Sequence, residues 1–193
     1  MNGVVVFKKL VSMKYVILLY MFGCLLLATS CTIDSRRREI RNSLNREVEI
    51  SMFNCVSQKR KSVLLEDVWS EYDFLSVVYL KEGCSPCYPK FLDWHTKMGV
   101  LDSIGNHTVL FVIDGQCYSD FFTKVLDLGY VEDRYYTVMD PDSKFLEANK
   151  DIPRWILDAS VLIDAENKIK MVGAPWLNEE MTELFNSIVY EGK

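Results

Sequence analysis

The chain reads as an α/β protein, a central mixed sheet with flanking helices, and three observations predict it. Short β-branched and aromatic runs alternate along the sequence with stretches of helical period. Three of those runs lack polar alternation, as strands covered on both faces do. Near the C-terminus two apolar runs flank a short polar turn, a hairpin pattern that adds an antiparallel edge to otherwise parallel strands.

The elements follow in order. Val48 to Met52 alternates with period two and predicts an outer strand, and Gln58 to Lys61 predicts a polar hairpin or loop before Val63-Leu64-Leu65. Leu75 to Leu80, His107 to Ile113 and Val161-Leu162-Ile163 are the runs of the kind buried in the middle of a sheet. Between the first two, Cys87, Phe91, Trp94, Met98 and Leu101 recur at helical spacing and mark one apolar face of a long helix. Tyr118, Phe121, Phe122, Val125 and Leu126 mark a second helix, closed near Gly129. A short strand is expected around Tyr136 to Met139, and then the hairpin Ser160–Asp164 and Lys168–Val172 about Ala165-Glu166-Asn167. Met181, Leu184, Phe185 and Ile188 predict a last amphipathic helix.

The N-terminus has a different character. Lys8, Lys9 and Lys14 precede an apolar run from Tyr15 to Ala28, the pattern of a secretory signal peptide. That run falls short of the ~20 residues a membrane-spanning helix needs. It ends in Leu27-Ala28-Thr29-Ser30-Cys31, where small residues meet a cysteine at the start of polar sequence. This resembles the lipobox of bacterial lipoproteins, which implies cleavage before Cys31, lipidation of its thiol, and attachment to a bacterial membrane with the domain in the periplasm or cell envelope. Acyl chains hold by ~0.8 kcal/mol per buried CH₂. The expected organisation is a signal peptide over 1–30, a polar tether over 31–46 and one domain over 47–193. Residues 1–30 contain three lysines and no acid, so the chain after them carries 19 basic and 27 acidic residues, a net charge of -8. Such a domain is a poor nucleic-acid binder. Its one basic cluster, Arg36-Arg37-Arg38, suits lipid headgroups or a solvated linker.

The motif that carries chemistry is Gly83-Cys84-Ser85-Pro86-Cys87, between the first buried strand and the long helix. Only a thiolate attacks a disulfide, and a free thiol with a pKa of ~8.5 is mostly protonated at neutral pH. A helix N-terminus stabilises the anion, which favours Cys84 as the attacking thiol. Cys87 falls one turn later and begins the apolar stripe, so it is expected to be the less exposed, resolving thiol. Pro86 fits a first helical turn, where its missing N–H is no loss. Gly83 gives the freedom to turn from strand to helix, and Ser85 completes the loop. A C-x-x-C pair also serves zinc, but zinc normally takes four ligands, and Cys55, Cys117, His95 and His107 are scattered. An inert bridge is the other reading, although a disulfide closing only two intervening residues restricts little of the unfolded chain. Redox chemistry explains the pair better.

Strand, C-x-x-C, helix, parallel strand, helix, hairpin and final helix together resemble the thioredoxin superfamily, roughly from Val63 to Ile188. The lipobox and the hairpin Val161-Leu162-Ile163-Asp164-Ala165-Glu166-Asn167-Lys168 are similar to its membrane-tethered TlpA/ResA-like branch. The resemblance implies a membrane-anchored thiol–disulfide oxidoreductase, with Cys84 as nucleophile, Cys87 as resolving thiol and no dissociable cofactor. Its partners would be thiols or disulfides of exported proteins and a membrane electron donor. Two features depart from the pattern. Asp158-Ala159-Ser160 stands where a cis-proline usually precedes the hairpin, and Gly83 replaces the aromatic residue common before the first cysteine. The alternative function is therefore a redox-inactive lipoprotein of the same fold that binds a partner, its bridge structural or vestigial.

The remaining reactive residues carry less. Cys55 and Cys117 either pair with each other or lie buried as small core residues. His95 is expected at the surface or its boundary. Nothing around Cys84 matches a Pro-x-x-x-Thr-x-x-Cys peroxidase pattern, and a copper carrier would need three residues between its cysteines.

Overall fold

The computed structural model describes residues 35–59, 61–101, 106–129, 132 and 134–191. The chain divides into two units, Met1–Asn42 and Ser43–Lys193. In the first, residues 35–42 are helical. The expected signal peptide over 1–30 and the expected lipidation site Cys31 lie outside the described residues. Among those described, no helix is long and apolar enough to cross a membrane.

The second unit is built on seven strands, β1 (Cys55–Gln58), β2 (Lys61–Leu64), β3 (Phe74–Lys81), β4 (His107–Asp114), β5 (Tyr136–Met139), β6 (Val161–Asp164) and β7 (Ile169–Val172). Its helices are α1 (Leu65–Glu71), α2 (Cys87–Leu101), α3 (Tyr118–Leu126), α4 (Lys144–Ala148), α5 (Arg154–Ala159) and α6 (Glu179–Glu191). The strands form one mixed sheet in the order β2-β1-β5-β4-β3-β6-β7, flanked by helices, as the fold class expected. β3, β4 and β5 are parallel neighbours, and β6 joins β3 antiparallel. The apolar runs of β3 and β4 sit at the centre because seven residues of each eight are buried, which only a two-faced position allows.

Each face carries its own apolar layer. On one, Val77, Tyr79, Leu110 and Val112 meet Val68 of α1, Phe145 of α4 and Ile156 of α5. On the other, Val78, Leu80, Phe111 and Ile113 meet Phe91, Trp94 and Met98 of α2, Phe121 and Val125 of α3, and Phe185 and Val189 of α6. The long helix therefore packs through the stripe its spacing predicts, with Leu101 partly buried at its end.

Three expectations are corrected. Val48 to Met52 is not a strand. Val48 and Ile50 are fully buried, as the alternation required, but pairing there stops at one bridge between Glu47 and Lys168 and the bond from Val48 N–H to the Asn167 carbonyl. His95 is not at the surface: it is 4% exposed, stacked on Phe111 and in contact with Phe91 and Tyr135. A histidine one position after Trp94 turns inward because that helix face is covered from several sides. Leu184 of the last helix is exposed, and Val189 takes the buried place beside Phe185.

Candidate redox site at the end of strand β3

β3 delivers the chain to the dithiol by a tight turn. Gly83 has φ 77°, a conformation open to glycine at little cost, and its N–H donates to the Tyr88 hydroxyl over 2.8 Å. The Tyr88 ring packs on Phe121 of α3, which ties this turn to the neighbouring helix. The loop after β4 holds the turn from the other side. Glu82 N–H donates to the Asp114 carbonyl, and the Glu82 carboxylate accepts from Gln116 N–H, each at 2.9 Å. A Cβ at Gly115 would collide with the Glu82 side chain, so glycine is what lets the two loops approach.

Cys84 and Cys87 are joined by a disulfide, with their Cα atoms 5.3 Å apart. The helix does not open at Cys84, however. Its first residue is Cys87, and Cys84, Ser85 and Pro86 form a separate turn closed by Cys87 N–H on the Cys84 carbonyl, 2.9 Å. The cause is Pro89, which has no N–H to bond the Ser85 carbonyl. The first bond of the helix is then Lys90 N–H on the Pro86 carbonyl, 3.3 Å. Ser85 and Pro86 are exposed.

The expected difference in exposure between the two cysteines is not found, since both are half-buried. The asymmetry lies in bonding. Cys87 packs against the apolar layer under α2, and its Sγ accepts the Lys81 N–H at 3.4 Å.

β6 pairs with β3 only as far as Val161 opposite Val77. Alternate residues of a strand present their N–H and C=O to the same edge. Glu82 N–H faces β4, so Tyr79 and Lys81 face the β6 side, where β6 has already ended. Two side chains of α2 take the place of the missing strand. Cys87 accepts from Lys81, and Lys90 Nζ donates to the Tyr79 carbonyl at 3.2 Å. Lys90 Nζ also donates to the Asp158 carbonyl at 2.7 Å, binding the dithiol helix to the segment before β6. Burial pushes Lys90 down to about 8, with the Asp158 charge pulling partly back.

Around this centre Tyr79 donates its hydroxyl to Asp114 (2.7 Å) and lies under the Arg154 guanidinium, 4.5 Å from ring to cation. Burial and then that hydrogen bond raise the Tyr79 pKa, so the phenol keeps its proton. Arg154 in turn pairs with Asp158 at 2.8 Å. Ser160, directly before β6, has φ 89° and ψ 154°, a region costly for any residue but glycine, and among the described residues its buried hydroxyl has no hydrogen-bond partner.

Sequence reasoning named the two cysteines and the turn but missed Lys90, Tyr79 and Arg154. Lys90 follows Cys87 by three positions, inside the apolar stripe, and that placement was the available signal. Cys55 and Cys117 are both free and exposed, so neither expectation for them holds. They sit on β1 and just before α3, and hydrogen bonds with Ser119, first its side chain, lower the Cys117 thiol pKa. Among the described residues no three His, Cys, Asp or Glu side chains gather as a metal site.

No family model matches the chain, and no curated protein is similar to it in sequence. Solved structures are similar in fold. A candidate protein disulfide isomerase from Bacteroides thetaiotaomicron superposes with a TM-score of 0.54 at 18% identity, over 78% of this chain and 96% of that one. The thioredoxin domain of a thiol-disulfide oxidoreductase from Bacteroides vulgatus gives 0.50 at 18% identity, over 76% and 97%. A candidate thiol:disulfide interchange protein DsbE from Chlorobium tepidum gives 0.50 at 18%, over 70% and 92%. At these identities the likeness is one of fold, and the fold is thioredoxin-like.

Proposed function

We propose, from a thioredoxin-like fold with a dithiol at its strand-to-helix turn, that this chain is a membrane-anchored extracytoplasmic thiol–disulfide oxidoreductase. It exchanges disulfides with exported proteins through Cys84 and Cys87. The observation that carries this reading is the Cys84–Cys87 bridge at the end of β3, which closes too short a loop to serve stability. The lipobox at Cys31 supports the anchor, and the net charge of -8 beyond it argues against nucleic-acid partners.

In the reducing direction the Cys84 thiolate attacks one sulfur of a client disulfide. The other client sulfur leaves as thiolate, and a mixed disulfide remains. The Cys87 thiol loses its proton to water, and its thiolate attacks the Cys84 Sγ. The client's second thiolate leaves, takes a proton from water, and the Cys84–Cys87 bond is restored. Two electrons have passed from protein to client, and a membrane donor returns them.

A second reading, a redox-inactive module that binds a partner, is favoured by one observation. The Asp158 carbonyl beside the dithiol helix is already bonded to Lys90. Two measurements separate the readings. The exchange reading expects limiting alkylation of the reduced protein at neutral pH to label Cys84, which lies in the turn, before Cys87, whose Sγ is held against the β3 edge, and a potential that a cellular dithiol can reach. Equal labelling, with a bridge resistant to every physiological dithiol, favours the binding module.

A further inference from the structure

We propose that Lys90 is a positioning residue of the resolving thiol: held on the free edge of β3 by the Tyr79 and Asp158 carbonyls, its ammonium favours the Cys87 thiolate. The inference deepens the exchange reading and rests on it for its role in turnover.

The placement follows from where β6 ends. Beyond the Val161–Val77 pair, the β3 edge belongs to Tyr79 and Lys81; the Lys81 carbonyl accepts from Cys84 N–H, and α2 meets the Tyr79 carbonyl and the Lys81 N–H. Lys90 Nζ takes the Tyr79 carbonyl at 3.2 Å and Cys87 Sγ the Lys81 N–H at 3.4 Å. With a strand rise of ~3.3 Å per residue, the ammonium and the sulfur are neighbours on one edge, on the order of 7 Å apart. A unit charge at that separation in a partly buried site shifts a neighbouring thiol by about one pKa unit or more. Lysine is suited to this, since its stem crosses apolar surface while its head reaches two carbonyls.

The other charged and titratable groups do not take over the task. From β3, Lys81 is exposed and lies 3.8 Å from Asp114 of β4. From α5, Asp158 is paired with Arg154, whose guanidinium stands over the Tyr79 ring. Glu82 accepts from Gln116, and the Tyr88 hydroxyl accepts from Gly83. Asp158 offsets part of the Lys90 charge, and the remainder faces the β3 edge that Cys87 shares.

The chemical consequence is confined to resolution. The Cys87 thiol gives its proton to water, and its thiolate attacks Cys84 Sγ as the client thiolate departs. A larger thiolate fraction at Cys87 speeds that step and leaves the first attack by Cys84 unchanged.

The test reads Cys87 directly. In the full chain carrying Cys84→Ser, ¹³C NMR of labelled cysteine resolves the Cys87 titration. Lys90→Gln is expected to raise its midpoint by about one unit, and Lys90→Arg to restore it, which a packing role alone would not do. The reciprocal measurement leaves Lys90 in place, so it stands even where Lys90→Gln fails to fold. Here the Lys90 Cε resonance should titrate at higher pH with Cys87 present than in the Cys84→Ser/Cys87→Ser chain. An unchanged Cys87 midpoint, or a Lys90 titration indifferent to Cys87, overturns the proposal. Neither measurement involves a client, so failure of disulfide exchange would be recognised separately.

Discussion

The backbone N–H of Lys81 points at the Sγ of Cys87 across 3.4 Å, on a strand edge that β6 has already left. This bond places the second sulfur of the pair against the sheet, while Cys84 stays in the turn outside the helix. It distinguishes two thiols that are both half-buried. The roles proposed for them rest on this placement, with Cys87 held against the sheet and Cys84 in the turn between the exposed Gly83 and Ser85.

Ser160 adopts a backbone conformation suited to glycine and buries a hydroxyl that has no partner among the described residues. Ser160→Gly is expected to stabilise the domain by about 1–3 kcal/mol, read as a higher midpoint in urea with an unchanged slope. A lower midpoint would mean that the hydroxyl has a partner worth more than the strain.

His95 should make the domain acid-sensitive. Burial, and then the positive charge of Arg134, bring its pKa down to about 4, below the ordinary ~6.5 of an unfolded histidine. The neutral form belongs to the folded state, so this contribution is complete above pH ~6.5 and is lost as pH falls toward 4, by up to about 3 kcal/mol. His95→Phe should remove that slope between pH 6.5 and 4 in denaturation curves. A slope that survives the substitution would assign the acid sensitivity elsewhere.

How much of this was legible in the sequence depended on length and periodicity. β3, β4 and α2 were found because eight- and fifteen-residue elements leave long runs or several repeats of a stripe. The helices α1, α4 and α5 escaped because five to seven residues hold too few turns to show a period. Val48 and Ile50 show the reverse case, in which burial alternates without a strand. At the site, the cysteines announce themselves by spacing. Lys90 does not, since its role depends on where β6 stops pairing, which is decided by the chain seventy residues later. The bonding of Lys90 and the conformation of Ser160 arise from that same tertiary junction.

The packing of α2 can be checked by truncation. Phe91 is fully buried between Phe111 and Phe121, and Trp94 is 2% exposed against Trp176. Phe91→Ala or Trp94→Ala should each cost about 3–5 kcal/mol in chemical denaturation. A loss below 1 kcal/mol would contradict the stripe as the helix's anchor.

Cys117 should react faster than a free thiol in an ordinary setting, because its sulfur lies 3.0 Å from the Ser119 hydroxyl. Alkylation of the oxidised protein should label Cys117, and Ser119→Ala should slow it. Labelling that ignores Ser119 would show that the hydrogen bond does not act on the thiol in solution.

The central claim is that Cys84 attacks and Cys87 resolves, and trapping in cells tests it most directly. Chains carrying Cys87→Ser can make the first bond to a client but cannot release it, so non-reducing gels should show mixed disulfides with exported proteins that disappear on reduction. Chains carrying Cys84→Ser should show far fewer. Equal trapping by both variants would contradict the assigned roles, and no adduct from Cys87→Ser under oxidising conditions would contradict disulfide exchange itself.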